Sequence, residues 1–444
     1  MASYVPKTMA MMSATMNDWV RNRFRIETNG SQTAKAGSVV SFTLPESALI
    51  HLPSIRFFYD ATCTSETENS TTVYGKLPSD AASALISKLE VYIGGVLVQN
   101  GTSEYNAVAK ALKVVQSSAA RDESVDRCLA HGAINNDNSA DSETLCLQEW
   151  RGFLNENATA YLPTDLTGAV QIRITFAQPN VLVPKEDGQD VGNNLSADAK
   201  TAAARLTYSV SNMFMTCDSV IPPAAYNEAL RERLSSGDIR INYKDYYTQA
   251  MSSVGSSFTH RFGVSTASLD RVYHVLRDTN YLDAGIKGFD LSDVSTSAGD
   301  AYIANAFRFR TFDAGSATWQ WNLNNVSMPQ YRATMLEALA DLHYGANKLG
   351  PQAQGGFVKD RESFKDAYGV VSLILNCQDE NGVSVRSGYN TKGINAQLTF
   401  NAQGLTTPAV NATTQETADR TSLVISETTQ QLCIGAGKQI SIVY

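Results

Sequence analysis

Two motifs recur in the same order at nearly the same spacing, and that repetition restricts the chain to folds that can be built twice. The first motif is a strand, a two-residue turn, a short strand and a helix. Its first copy runs Leu89-Glu90-Val91-Tyr92-Ile93, Gly94-Gly95 and Val96-Leu97-Val98. Glycine at both turn positions supplies the positive φ that a two-residue hairpin loop demands. A helix follows: Ser103 is placed to cap it, Glu104 favours its positive end, and Tyr105, Val108, Leu112 and Val115 share one face. In the second copy Thr318-Trp319-Gln320-Trp321-Asn322-Leu323 is the strand, Asn324-Asn325 the turn and Val326-Ser327-Met328 the exit. Tyr331, Met335, Leu339 and Leu342 then predict a helix, with Gly345 placed to end it.

The second motif is Val170-Gln171-Ile172-Arg173-Ile174-Thr175-Phe176-Ala177-Gln178, matched by Ile394-Asn395-Ala396-Gln397-Leu398-Thr399-Phe400-Asn401-Ala402-Gln403. Each copy precedes an irregular polar loop and a last strand, Leu206 to Met215 and Leu423 to Ser426 with its continuation. The turn moves from position 95 to 325, a shift of 230, and the Thr-Phe pair from 176 to 400, a shift of 224; half of 444 residues is 222. Two copies of one fold are expected. Near the start the β-branched run Val39 to Leu44 finds only a loose counterpart, around Phe258 to Phe262.

Between the copies, Pro222-Pro223 opens and Gly237 closes a helix with Tyr226, Leu230 and Leu234 on one face. The expected organisation is an N-terminal arm at 1–24, a first domain at 25–221, a linker helix at 222–237 and a second domain at 238–444. Leu269, Val272, Tyr273 and Leu276 predict a further helix early in the second copy. Polar stretches at Ser117 to Ser142, Asn180 to Ala203, Ala284 to Ala301, Ala346 to Lys365 and Gly404 to Asp419 read as long loops, which in compact domains form interfaces or sites. Short strands between polar turns, with helices only as insertions, give an all-β fold class: two tandem eight-stranded jelly rolls.

Composition and motifs narrow the function. Charged residues make up only 18% of the chain, which suits a surface covered by copies of itself. A net charge of -8, with no basic tail, argues against a general nucleic-acid binder, and no direct sequence-specific nucleic-acid contact is expected. Met1, Met9, Met11, Met12 and Met16 do not form a continuous apolar core of signal-peptide type, so secretion is not expected. No run of about 18 apolar residues predicts a spanning helix. Cys63, Cys128, Cys146, Cys217, Cys377 and Cys433 are scattered and read as small buried hydrophobes. The triplets at Asn29, Asn100 and Asn325 read as chance acceptor sequences.

The search for chemistry assigns no catalytic, cofactor-binding or metal residue. His51, His131, His260, His274 and His343 are isolated, without the spacing of a metal site. Gly435-Ala436-Gly437-Lys438-Gln439 lacks the upstream glycine and the following helix of a phosphate loop, and reads as a turn into the terminal strand Ile440 to Tyr444. Asp122, Glu123 and Asp126 read as solvated, and no nucleophile elbow or dinucleotide fingerprint occurs.

Ser41-Phe42-Thr43-Leu44-Pro45, Leu52-Pro53-Ser54-Ile55-Arg56-Phe57, the hairpin from Lys88 to Asn100 leading into Tyr105-Asn106, and a Tyr-rich second half carry a resemblance. Together they look like the double jelly-roll major capsid proteins, in the flavour of polinton-like viruses and virophages within the adenovirus-like lineage. The resemblance implies a homotrimer with a pseudo-hexagonal outline, rolls standing perpendicular to an icosahedral shell, and outward loops of modest height. It implies neighbouring capsomers and penton or minor capsid proteins as partners, and an internal membrane as the surface met by the Met-rich arm. Arg21, Arg23 and Arg25 would suit an acidic surface there. The helices from Tyr105 to Val115 and from Tyr331 to Leu342 are the expected contact elements. The alternative is a tandem jelly-roll carbohydrate- or receptor-binding protein, an adhesin or spike.

Overall fold

Alternation of apolar and polar side chains makes most of the chain strand, and the strands build two sandwiches on one plan. The computed structural model describes residues 20–46, 48–78, 80–100, 104–116, 136–191, 195–222, 224–278, 309, 317–341, 369–378, 384–386, 388–392, 398–405 and 420–444. In the first half lie β1 (Val20–Glu27), β2 (Val39–Thr43), β3 (Leu49–Cys63), β4 (Ile86–Ile93), β5 (Val96–Gln99), α1 (Tyr105–Gln116), β6 (Ser142–Leu147), β7 (Tyr161–Pro163), β8 (Val170–Phe176) and β9 (Tyr208–Ile221). After α2 (Ala224–Ser236) come β10 (Ile239–Val254), β11 (Phe258–Phe262), β12 (Leu269–Asp278), β13 (Thr318–Leu323) and β14 (Val326–Thr334). The chain closes with α3 (Met335–Ala340), β15 (Val370–Ile374), β16 (Leu398–Gln403), β17 (Arg420–Gly435) and β18 (Gln439–Val443).

One sheet of the first half has the order β1-β9-β3-β7, with β6 also on β3, and it faces a sheet of order β2-β8-β4-β5. The second half repeats both, as β10-β17-β12-β15 with β18 on β17, and as β11-β16-β13-β14. Phe42 and Phe57 meet edge to face between the first pair of sheets, centroids 5.5 Å apart. His274 stacks on Phe400 between the second pair, centroids 3.8 Å apart. The chain is two tandem jelly rolls.

The repeated motifs occupy equivalent places: β8 matches β16, and the β4–β5 hairpin matches β13–β14. The loosest sequence match, β2 with β11, is equivalent too, each being the edge strand beside that central strand. Val170, Ile172, Ile174 and Phe176 of β8 and Leu398, Phe400 and Ala402 of β16 all point into a core. A slip of one residue would turn each set to solvent, at about 1.5–3 kcal/mol per large side chain, so burial fixes the register. The turns agree as well: Gly94 and Gly95 have φ of 56° and 83°, Asn324 and Asn325 of 50° and 67°. Asparagine tolerates this left-handed conformation where most residues do not.

Three expectations are corrected. Leu269 to Leu276 is the strand β12 and not a helix. The apolar spacing fits a helix only if the residues between face water, yet Asp270, Arg271, His274 and Arg277 are buried as well. With both faces covered, helical spacing carries no information, and β-branched Val272 and Val275 suit a central strand. The helix expected from Tyr331 begins at Met335, because β14 runs on to Thr334. The Glu337 carboxylate accepts hydrogen bonds from the Thr334 backbone N–H at 2.6 Å and its hydroxyl at 3.0 Å, fixing that start. Leu342 and Gly345 lie outside the described residues.

Asn180 to Ala203, read as loop, holds a strand Val183–Glu186 and a helix Ala197–Ala203. The Ser196 hydroxyl caps that helix by accepting the Ala199 N–H at 3.2 Å. An Ala-rich run with a serine cap forms a helix without an apolar stripe. The turn at Gly435 to Lys438 does lead into a terminal strand, with Gly437 at φ 73°. β1 begins at Val20, inside the stretch read as an arm; residues 1–19, 117–135, 279–308 and 342–368 lie outside the described residues.

Candidate functional site

The helix after the β4–β5 hairpin does not stay with its own sandwich. Tyr105 and Ala109 of α1 pack in the core of the first roll, while Ala107, Val108, Ala111, Leu112 and Val115 are buried in the core of the second. The exchange runs both ways. Ile241, Tyr243, Leu432 and Ile434, from the paired ends of β10 and β17, are buried in the core of the first roll. The Phe153 and Tyr243 rings meet edge to face at 5.2 Å across this joint. Two backbone hydrogen bonds cross beside them: the Ala158 N–H donates to the Asn242 carbonyl at 2.8 Å, and the Lys244 N–H to the Glu156 carbonyl at 2.9 Å.

A buried ion pair crosses the joint. Arg277 of β12 donates twice to the Glu104 carboxylate at the foot of α1, at 2.7 and 2.9 Å. Its side chain is 1% exposed and that of Glu104 16%. Beside the joint, within the second roll, Lys244 lies between Glu427, at 3.2 Å, and Asp270, and the Tyr273 hydroxyl donates to Glu427 at 2.9 Å. Burial works to lower the Lys244 pKa, but the two carboxylates overcome it and hold it above the ordinary lysine value. Burial pushes the neighbouring Asp245 carboxyl up to about 7, against hydrogen bonds that include the Tyr246 N–H. A paired, buried charge across a joint fixes how two bodies sit, since any other placement strands a charge. None of these partners is legible in the sequence, because Glu104 and Arg277 stand 173 residues apart.

Two of the histidines read as isolated come together. His260 Nδ1 on β11 and His274 Nε2 on β12 each lie 2.8 Å from the Ser422 hydroxyl of β17, inside the second sandwich. Burial lowers the pKa of His260 to about 4 and that of His274 well below the ordinary value. One signal was present: Phe258, His260 and Phe262 alternate, which puts His260 on the inward face of β11. His51 packs on Tyr161 with centroids 4.8 Å apart, while His131 and His343 lie outside the described residues. Cys63, Cys146, Cys217 and Cys433 are buried free thiols, and burial pushes the first three up to about 12, 11 and 12, which keeps them protonated. Among the described residues no group of His, Cys, Asp and Glu is placed to hold a metal ion, and no helix is long and apolar enough to cross a membrane.

On the outside, Val20 and Ile221 pair at the open end of β1 and β9 and are 57% and 50% exposed. Val326, Tyr331 and Leu336 lie on β14 and α3, at 52%, 60% and 55%. Arg21 and Arg23, read as facing an acidic surface, both grip Asp218, with Arg23 Nε at 2.7 Å. Those bonds, Arg23's foremost, pull the Asp218 pKa down to about 2. Both guanidinium groups remain largely exposed while doing so.

No family model and no curated protein matches the chain by sequence. Solved structures do match its fold. The capsid of the PBCV-1 virus superposes with a TM-score of 0.62 at 15% identity, over 96% of this chain and 97% of that one. The faustovirus major capsid protein gives 0.55 at 10% identity, over 94% and 91%. The Sputnik virophage structure gives 0.55 at 12% identity, over 96% and 88%.

Proposed function

We propose that the chain is a viral major capsid protein, built into the virion as a structural part rather than acting as an enzyme. One observation carries the reading: two rolls of one topology, locked side by side, match capsid chains from end to end rather than over one domain. A rigid pair of like bodies is a third of a six-fold ring, so three chains make a capsomer of hexagonal outline that tiles a closed shell. The division at 25–221, 222–237 and 238–444 supplies the two bodies and their link. Neighbouring capsomers and penton or minor capsid proteins are the partners this role requires, and of the expected arm 1–24 the part ahead of β1, 1–19, is offered to an internal membrane. No observation favours the carbohydrate- or receptor-binding alternative.

In electron micrographs of the purified chain, six-lobed particles with a three-fold axis are expected. Two-lobed single chains at every concentration would overturn the reading.

A further inference from the structure

Lysine meets buried aspartate at several places among the described residues: Lys76 with Asp141, Lys110 and Lys113 with Asp80, and Lys244 with Asp270. The last differs in what else touches the amine. Asp80 is shared by two ammonium groups, and the second carboxylate at Lys76, that of Asp137, is 51% exposed. At Lys244 both carboxylates are covered, Asp270 at 2% exposed and Glu427 at 6%.

The strands bring these groups together. Lys244 of β10 stands opposite Thr429 of β17, and Glu427 lies two residues along β17 on the same face. Asp270 of β12 falls in a break of register, between Leu269 opposite Thr428 and Arg271 opposite Glu427. Such a bulge re-aims a side chain, and Asp270 turns onto the face that Lys244 and Glu427 share. Its carbonyl is pinned there by the Leu375 N–H at 2.9 Å. Reaching across β17, the Lys244 amine touches Asp270 Oδ2 and lies 3.2 Å from Glu427 Oε1 and 3.0 Å from the Thr429 hydroxyl. The Ser268 hydroxyl donates to Asp270 Oδ1 at 2.7 Å, and the Tyr273 hydroxyl to Glu427 Oε2 at 2.9 Å.

We infer that Lys244 and Asp270 condense into an amide that ties β10 to β12 across β17, with Glu427 as the catalytic acid and base. In the folded chain the Lys244 ammonium gives one proton to the Asp270 carboxylate it touches, leaving an amine beside a carboxylic acid. The carboxylates that keep Lys244 charged are thus also the acceptors of its proton, and burial favours the uncharged forms. The nitrogen attacks Asp270 Cγ; a C–N bond forms, and the carbonyl electron pair moves to Oδ1, where the Ser268 hydroxyl holds it. Glu427 takes a proton from the nitrogen and delivers it to the Oδ2 hydroxyl, so the C–O bond breaks and water leaves. One ammonium and one carboxylate become one amide and one water, and Glu427 ends as it began. Fixed contact supplies what two dilute reactants lack, so no activating co-reactant is needed. The Lys244 side chain is 25% exposed, which leaves the water a way out. The bond locks the pairings on both sides of β17 beside the joint, where the Lys244 N–H already reaches the Glu156 carbonyl of the first roll.

Mass spectrometry of the full chain, purified folded and denatured only for the measurement, is expected to give one water less than its sequence predicts. A tryptic digest is expected to contain a branched peptide joining the segment of Lys244 to that of Asp270, uncut after Lys244. Lys244→Arg keeps a cation for both carboxylates but cannot condense in this way, and should restore the full mass. Glu427→Gln keeps both reacting groups but cannot take the proton from the amine, and should leave most of the chain at full mass. Circular dichroism verifies that both variants keep the fold. A folded parent chain that stays at full sequence mass on prolonged incubation overturns the inference. So does a loss of water without the branched peptide, which is how ring closure at Asp187-Gly188 would read. A bond formed to the same extent in Glu427→Gln overturns the role of that residue. The mass of one chain does not depend on its assembly, so the capsid reading stands or falls separately.

Discussion

Arg277→Ala is expected to destabilise the chain by about 3–5 kcal/mol, the usual cost of breaking a buried ion pair by removing one partner. The guanidinium is almost fully covered and makes both hydrogen bonds to Glu104, so truncation leaves a carboxylate at the foot of α1 without its cation. The loss should fall on the attachment of α1 to the second roll rather than on either sandwich. Urea unfolding of Arg277→Ala, Glu104→Ala and the double variant forms a cycle that isolates the pair. A coupling of a few kcal/mol is expected, and a double variant scarcely worse than either single one. Replacing both residues by apolar ones, Glu104→Leu with Arg277→Met, should recover much of the loss, because the charges specify placement more than they add stability. Additive single losses of under about 1 kcal/mol each would mean the pair is incidental.

The duplication was legible because it rests on features of short range. A hairpin turn requires residues that accept positive φ, and a strand between core and neighbour requires alternation; Gly94-Gly95, Asn324-Asn325, Val170 to Phe176 and Leu398 to Gln403 satisfy both locally. Helix α1 was legible for the same reason. The misreading of Leu269 to Leu276 shows where local pattern stops. Its polar residues are matched by Glu104, Ser422, Thr429 and Lys244, each brought in from another part of the chain, so the strand looks amphipathic in sequence and is buried on both sides in the fold. The ion pairs of the joint and the sharing of Ser422 by two histidines were hidden by the same distance.

Lowering the pH from 7 to 4.5 is expected to weaken the second roll through His260 and His274. The Ser422 hydroxyl has one proton to donate, so it donates to one imidazole and accepts from the other, and the ring that takes its proton must be neutral. The rings packed on them, Phe262 on His260 and Phe258, Phe400 and Trp321 on His274, supply no counter-charge. Both histidines have folded pKa values below the unfolded 6.5, so their contribution is complete above pH 6.5 and is lost as the pH falls toward the folded value, about 4 for His260. For His260 alone the loss approaches about 2–3 kcal/mol. Asp245, raised to about 7, has the opposite sign: its folded form keeps a proton that the unfolded form releases, so it gains stability over the same range. That term is common to parent and variants and cancels between them. His260→Asn and His274→Gln keep a polar atom near Nδ1 and Nε2 respectively without a titrating ring. Each should lower stability at pH 7 yet flatten its fall between pH 7 and 4.5, as followed by thermal unfolding. Equal slopes in the parent and both variants would show that acid acts on the roll through other groups, and that the buried pair is only packing.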